Sequence, residues 1–309
     1  MNQYSLTEPY RTEMAIHTHL MIGIIFNPNT NKGKSVERMR HVLSLLDGKG
    51  IQYDYRETAG CGDATVIAKE LSESCDTIVA AGGDGTVFEV VNGAADKDVK
   101  FFILPFGSGN DVSRNLGLYK RSDEELVDIL LAGNTTRFDC GLKDGSVAFC
   151  VFVSFGIVTH IIAEFEKRQK GSSIGYYSTM LKAIRSFRSQ RFKVRTENYD
   201  KEILADFVSV QSIRNAGAGM IIQPDAKIDD GYHDLVVIEH RGRFRKFCNL
   251  VALLRGKLPK QPNVYTEKVK WAEIESCEGE ITYSIDGELM TTSGVRTEVC
   301  DRPLTFICK

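Results

Sequence analysis

The chain has 309 residues, 42% of them hydrophobic and 26% charged, with a formal net charge of -2. This balance excludes a disordered or fibrous chain and leaves room for two cored domains. The near-neutral charge gives no field for nucleic acid, so an anionic partner must meet a local patch. No apolar stretch approaches the ~20 residues of a membrane span. Residues 1–19 lack a signal peptide's apolar core and read as a loose polar leader. The eight cysteines show no C-x-x-C pair or zinc spacing, which predicts reduced thiols and a cytoplasmic protein.

In chain order, 19–27 reads as a first buried strand, followed by a polar loop at 28–35. A helix follows, with Val36, Met39, Val42, Leu43 and Leu46 at helical spacing. Residues 51–57 alternate like a strand, and 63–71 read as a helix. Ile78 to Ala81 is a short apolar run, then Gly82, Gly83 and Gly85 surround Asp84, and Thr86 opens a helix carrying Val87, Val90 and Val91. Strand, glycine turn and helix N-terminus together make an anion site. An acid inside such a turn makes sense with a cation between it and a phosphate. The alternative is a tight βα turn in which Asp84 is a solvated cap.

The next strand, 100–104, leads into Pro105-Phe106-Gly107-Ser108-Gly109-Asn110-Asp111 and then a helix at 123–131. Such alternation predicts an α/β nucleotide-binding domain over 20–136, an open parallel sheet with helices on both faces. Its ligand belongs beyond the strands' carboxyl ends, where these loops lie. From Arg137 onward strand-like segments dominate, at 147–155, 191–196, 203–213, 233–239, 267–276, 280–286 and 304–308, with helices near 157–168 and 173–188. This predicts a β-rich, antiparallel, sandwich-like domain over 137–309. The last strand is open to rejoin the first domain.

Two familiar loops are excluded. Pro28-x4-Gly33-Lys34-Ser35 lacks the first glycine of a Walker A loop, and Gly83-x-Gly85 has Phe88 where a Rossmann turn needs its third glycine. The Ser108 loop alone reads as an N-capped turn, with Asn110 or Asp111 as cap. Beside a second glycine loop one βα unit away, the phosphate reading is favoured, because adjacent strand ends share one crevice.

Gly82-Gly83-Asp84-Gly85-Thr86 with Glu89 and Asn92-Gly93, then Pro105-x-Gly107-Ser108-Gly109-Asn110-Asp111-x-x-Arg114, resembles the diacylglycerol kinase family, which includes bacterial soluble lipid kinases and sphingosine and ceramide kinases. The likeness continues through Asn215-x-Gly217-x-Gly219-Met220, Pro224-x-Ala226, Asp230-Gly231 and Asp286-Gly287-Glu288, covering about 20–309. It implies an ATP- and Mg2+-dependent kinase acting on a lipid alcohol, most plainly diacylglycerol. ATP would be met by Asn27, Pro28, Asn29, Thr58, Gly82, Gly83, Asp84, Gly85, Thr86, Glu89, Ser108, Gly109 and Asn110. Asp84 and Asp111 would organise catalytic Mg2+, and Lys227, Asp230 and Tyr232 stand where bacterial relatives hold a structural Mg2+; a polar turn explains those three equally well. Asp286 and Glu288 match the motif that carries the base, and alternation would aim both into one cleft.

Val151-x-x-Ser154-Phe155-Gly156-Ile157-Val158 lacks the family's asparagine and acid in that stretch, which leaves the lipid open. The rivals are a NAD kinase, with a similar Gly-Gly-Asp-Gly turn, and a silent lipid- or nucleotide-binding regulator. The Ser108 loop and the Asp286 turn argue against the first, and retention of all four acids against the second. Lys182, Arg185 and Arg188 recur every third residue, and Arg241, Arg243, Arg245 and Lys246 form a second basic patch. Each is either a peripheral membrane contact or a solvated basic face. Monomer and homodimer are equally open.

Overall fold

The structure is a computed structural model that describes residues 21–143, 146–149, 151–168, 182–215 and 219–309. The expected leader at 1–19, residues 173–181 of the helix expected near 173–188, and Gly217 lie outside the described residues.

The first sheet begins with β1 (Ile22–Phe26), α1 (Ser35–Gly48), β2 (Tyr53–Glu57), α2 (Asp63–Leu71), β3 (Thr77–Gly82), α3 (Asp84–Ala94) and β4 (Lys100–Pro105). Short α4 (Asp111–Asn115), α5 (Asp123–Ala132) and β5 (Thr135–Phe138) follow. β2, β1, β3 and β4 pair in that order, all parallel. The chain therefore moves one way from β1 to β2 and the other way from β2 to β3. Right-handed crossovers then place α1 on one face and α2 with α3 on the other. The direction reverses between β1 and β3, and a crevice opens at their carboxyl ends.

The second unit holds β6 (Gly141–Lys143), β7 (Ser146–Phe149), β8 (Phe152–Gly156), α6 (Ile157–Arg168), β9 (Gln190–Arg195), β10 (Asp200–Gln211) and β11 (His233–Glu239). A helix at Gly242–Leu254 precedes β12 (Val264–Val269), β13 (Trp271–Ser276), β14 (Ile281–Ile285), β15 (Glu288–Thr292), β16 (Gly294–Val299) and β17 (Leu304–Ile307). Apart from β17, which belongs to the first sheet, its strands pair antiparallel. β10 pairs β9 along its first half and β8 along its second, while β11 takes its other edge past an irregularity between Ala205 and Phe207. The fold is thus an α/β sheet domain with an antiparallel β-rich domain.

The chain leaves the first sheet after β5 and returns to it at its end. β17 runs parallel to β4 and antiparallel to β5. Phe306 anchors it, its ring 5.5 Å from Phe101 and 5.0 Å from Phe138, all three buried. Burying one such side chain contributes about 1.5–3 kcal/mol. α5 starts on a capping box in which Ser122 and Glu125 satisfy each other's backbone N–H.

Several elements differ from the sequence reading. α3 starts at Asp84 rather than Thr86, because Gly83 is extended and caps the helix, leaving an acid in the positive first turn. β5, β6, β15, β16 and the helix Gly242–Leu254 were not anticipated. The stretch 267–276 is parts of two strands, β12 and β13, with Lys270 between them.

Candidate active site

Loops from four neighbouring strands meet beyond their carboxyl ends. Asn27 ends β1 with its N–H on the Ala81 carbonyl, and its amide donates to Thr86 Oγ1 at 3.3 Å. Its own Oδ1 accepts the Asn29 N–H at 3.0 Å. Thr58, buried after β2, donates its N–H to Phe26. The two glycine loops touch: a Cβ on Gly107 would lie 2.4 Å from Gly83 Cα. A Cβ on Gly82 would meet Thr86 Oγ1 at 2.4 Å. A larger residue at Gly107 would separate the loops, and one at Gly82 would displace Thr86.

Asn110 closes the second loop. At φ 54° its side chain turns back, accepting the Gly107 N–H at 3.0 Å and donating to the Gly107 carbonyl at 2.6 Å. The expected N-cap is therefore a loop clasp. Between the loops lies a pocket of about 410 Å³ lined by Asn27, Asn29, Thr58, Gly83, Gly85, Thr86, Glu89, Gly107 and Ser108, together with Thr30, Asn31, Gly60, Cys61 and Ala64. That is ample for a phosphorylated ligand. No side chain caps α3, so its first-turn N–H groups face this space. Pro28, Gly82, Asp84, Gly109 and Asn110 are not among the lining residues; they shape the walls.

Asp84 is partly buried, and its Oδ1 accepts the Asp111 N–H at 2.7 Å and the Val112 N–H at 3.4 Å. Burial, and then the charge of Asp111, push its carboxyl up to about 6 despite these donors. A divalent cation would relieve the cost of that carboxylate's charge, so Asp84 fits the Mg2+ expected there. Asp111 faces another way: its buried Oδ1 accepts Asn215 Nδ2 at 2.6 Å and the Gly219 N–H at 2.8 Å. It ties α4 to the second domain.

The two acids of the hairpin part company. β14 and β15 are joined by Asp286 and Gly287, both at positive φ (47° and 98°), as a two-residue hairpin loop of the primed kind demands. The turn breaks the alternation that would have kept Asp286 and Glu288 on one side. The buried Asp286 Oδ1 accepts the Val151 and Phe152 N–H groups, both at 2.9 Å, and pins the hairpin to β8. Glu288 instead reaches the first domain, its carboxylate within 4.8 Å of a Glu89 carboxylate oxygen and of Cys61 Sγ. Glu89 is oriented by the Ala64 N–H at 3.1 Å. Both carboxylates raise the Cys61 thiol above its ordinary value, Glu89 more than Glu288. Sequence reasoning missed Cys61, whose only signal is its place three residues after Thr58 in a strand-end loop.

The Asp230 turn does not fit a bound metal. Lys268 pairs directly with its Oδ2, while its Oδ1 accepts the Tyr232 N–H at 3.2 Å. Gly231 donates to Asp139, Lys270 stands 4.5 Å over the Tyr232 ring, and Lys227 lines a separate cavity of about 650 Å³ with Arg114 and Arg214. An ammonium already neutralises the acid.

Residues 21–142 match the family model of the diacylglycerol kinase catalytic domain, and residues 152–308 match that of the YegS C-terminal NAD kinase beta sandwich-like domain. A diacylglycerol kinase of Staphylococcus saprophyticus is 31% identical over 273 residues, covering 86% of this chain and 88% of the relative. The chain belongs to the diacylglycerol kinase family. A diacylglycerol kinase of Staphylococcus aureus is 29% identical over 272 residues, covering 86% of this chain and 85% of its own. A solved diacylglycerol kinase from Bacillus anthracis shares the fold, with a TM-score of 0.72 at 24% identity, covering 94% of this chain and 97% of that one. Membership in that family implies a kinase. Phe88, which bars a Rossmann turn, packs instead against the core of the second domain.

Proposed function

We propose that this protein transfers the γ-phosphoryl group of ATP to the hydroxyl of a lipid alcohol, with diacylglycerol the leading acceptor and phosphatidic acid the product. The observation that carries this reading is the placement of Glu288 beside Glu89 at the lip of the glycine-walled pocket. The α3 N-terminus and the Gly83, Gly85 and Gly107 backbone receive the phosphates. Asp84 would hold Mg2+, which when bound offsets phosphate charge. Glu288 accepts the hydroxyl proton as the alcohol oxygen bonds to the γ-phosphorus and the bond to the β-phosphate oxygen breaks, releasing ADP. Asp286 positions the hairpin that carries Glu288.

A lipid acceptor is supported by the apolar side chains of Ile157, Val158, Met220, Leu250, Leu253 and Leu258 around a small cavity of about 70 Å³, which Asp206, Lys246 and Asn249 also line. Met220 directly follows Gly219, whose N–H is bonded to Asp111, so apolar lining begins beside the acid loops. No described helix is long and apolar enough to cross a membrane. The test is γ-labelled ATP with Mg2+ and diacylglycerol in mixed micelles, against NAD as a second acceptor. Label in phosphatidic acid supports the reading; label in NADP overturns it.

A further inference from the structure

The helix Gly242–Leu254 is turned the wrong way for water. Phe244, Phe247, Val251 and Leu254 fall at i, i+3, i+7 and i+10, one stripe of a helix, and the stripe faces outward. Phe244 is 79% exposed and Phe247 and Leu254 are each 60% exposed. These are three of the eight large apolar side chains exposed among the described residues, so exposure is concentrated here. The inward face seats Asn249, buried, with neither amide atom partnered.

Charge surrounds the stripe. Residues 241–257 hold Arg241, Arg243, Arg245, Lys246, Arg255 and Lys257 and no acid. Residues 182–188, packed alongside, add Lys182, Arg185 and Arg188, again without an acid. Lys246 joins the two segments, donating to the Phe187 carbonyl at 3.4 Å with its ammonium 4.9 Å from that ring. A groove of about 850 Å³ runs between them, with Arg185, Arg188 and Arg243 on its walls and Phe247 and Leu250 at its floor. Leu250 also lines the apolar cavity beside Met220.

We infer that this face docks on the surface of an anionic phospholipid bilayer, with the Phe244–Leu254 stripe entering the acyl boundary and the arginines meeting lipid phosphates. A second copy of the chain is a poor occupant, because a twofold contact would set Arg185, Arg188 and Arg243 against their own copies. The purpose of the docking rests on the lipid-kinase reading, but its test does not.

The test measures sedimentation with phosphatidylcholine vesicles that contain or lack phosphatidylglycerol. Wild type should bind the anionic vesicles more tightly. Arg185→Gln/Arg188→Gln/Arg243→Gln should bind them ~100-fold less tightly at low salt, from about 1 kcal/mol per charge, with the difference shrinking in high salt. Phe244→Asp/Phe247→Asp should lose at least ~100-fold at every salt concentration. All these side chains are exposed or at the groove, so both variants should keep wild-type melting. Wild-type binding by either variant, or equal binding of wild type to neutral vesicles, overturns the inference. So does a wild-type dimer, seen by light scattering, that the phenylalanine variant dissolves. Kinase activity on detergent-dispersed diacylglycerol should be unchanged in both; its absence from wild type would sink the lipid-kinase reading while leaving the docking result intact.

Discussion

The carboxylate of Asp84 accepts the backbone N–H of Asp111 at 2.7 Å, so the acid of one glycine loop holds the start of the helix behind the other. Asp84 therefore has two duties, one to the loop and one to the charge of the ligand, and a substitution can separate them.

Asp84→Asn keeps the acceptor oxygen and removes the charge. Turnover should fall at least ~100-fold, the scale of losing an electrostatic partner of the transition state. Stability should move the other way. The folded carboxyl is raised to about 6, above its ordinary value, so its stabilising contribution is present at acid pH and is lost as pH rises through 6. Above that pH the charged form costs up to about 3 kcal/mol, which the amide removes. Urea unfolding of the ligand-free proteins should show Asp84→Asn the more stable at neutral pH, with the gap closing toward pH 4. A less stable variant at neutral pH would contradict the burial argument.

Asn215→Ala removes a donor from the buried Asp111 carboxylate, leaving the Gly219 N–H and a more distant Arg114. A buried acceptor deprived of a charged hydrogen bond loses about 1–3 kcal/mol. Denaturant titration should show that loss, and hydrogen exchange should show faster opening around Gly219. Unchanged stability would mean that the domain tie lies elsewhere.

A structural metal at the Asp230 turn should be dispensable, because Lys268 already pairs with that acid. Exhaustive chelation should leave the melting temperature unchanged while stopping turnover. Lys268→Met should lower stability by about 1 kcal/mol, as for a partly exposed pair. A large fall in melting temperature on chelation alone would restore the metal.

The glycine loops were legible in the sequence because their demand is local. Gly82 and Gly107 each exclude a Cβ, and the strands before them are short apolar runs. The rest depends on partners far along the chain. Lys268 stands 38 residues from Asp230, and nothing near Asp230 announces it. Asp286 and Glu288 obey alternation in the sequence, yet positive φ at 286 and 287 sends one carboxylate into β8 and the other to the cleft. Cys61 belongs to no motif. The helix Gly242–Leu254 shows in the sequence as a basic patch at 241–246, and that its apolar stripe faces outward is visible only in the structure.

The most direct measurement compares kcat and KM of Glu288→Gln and Asp286→Asn on diacylglycerol with saturating ATP. Glu288→Gln should lose ~10² to 10⁴-fold in kcat, the range of a general base, with KM for ATP and melting temperature near wild type. Asp286→Asn keeps an acceptor for Val151 and Phe152 and should lose far less in kcat, its effect falling mainly on stability. The reverse pattern, with Asp286→Asn losing its turnover and Glu288→Gln fully active, would contradict the assignment of Glu288 as the base.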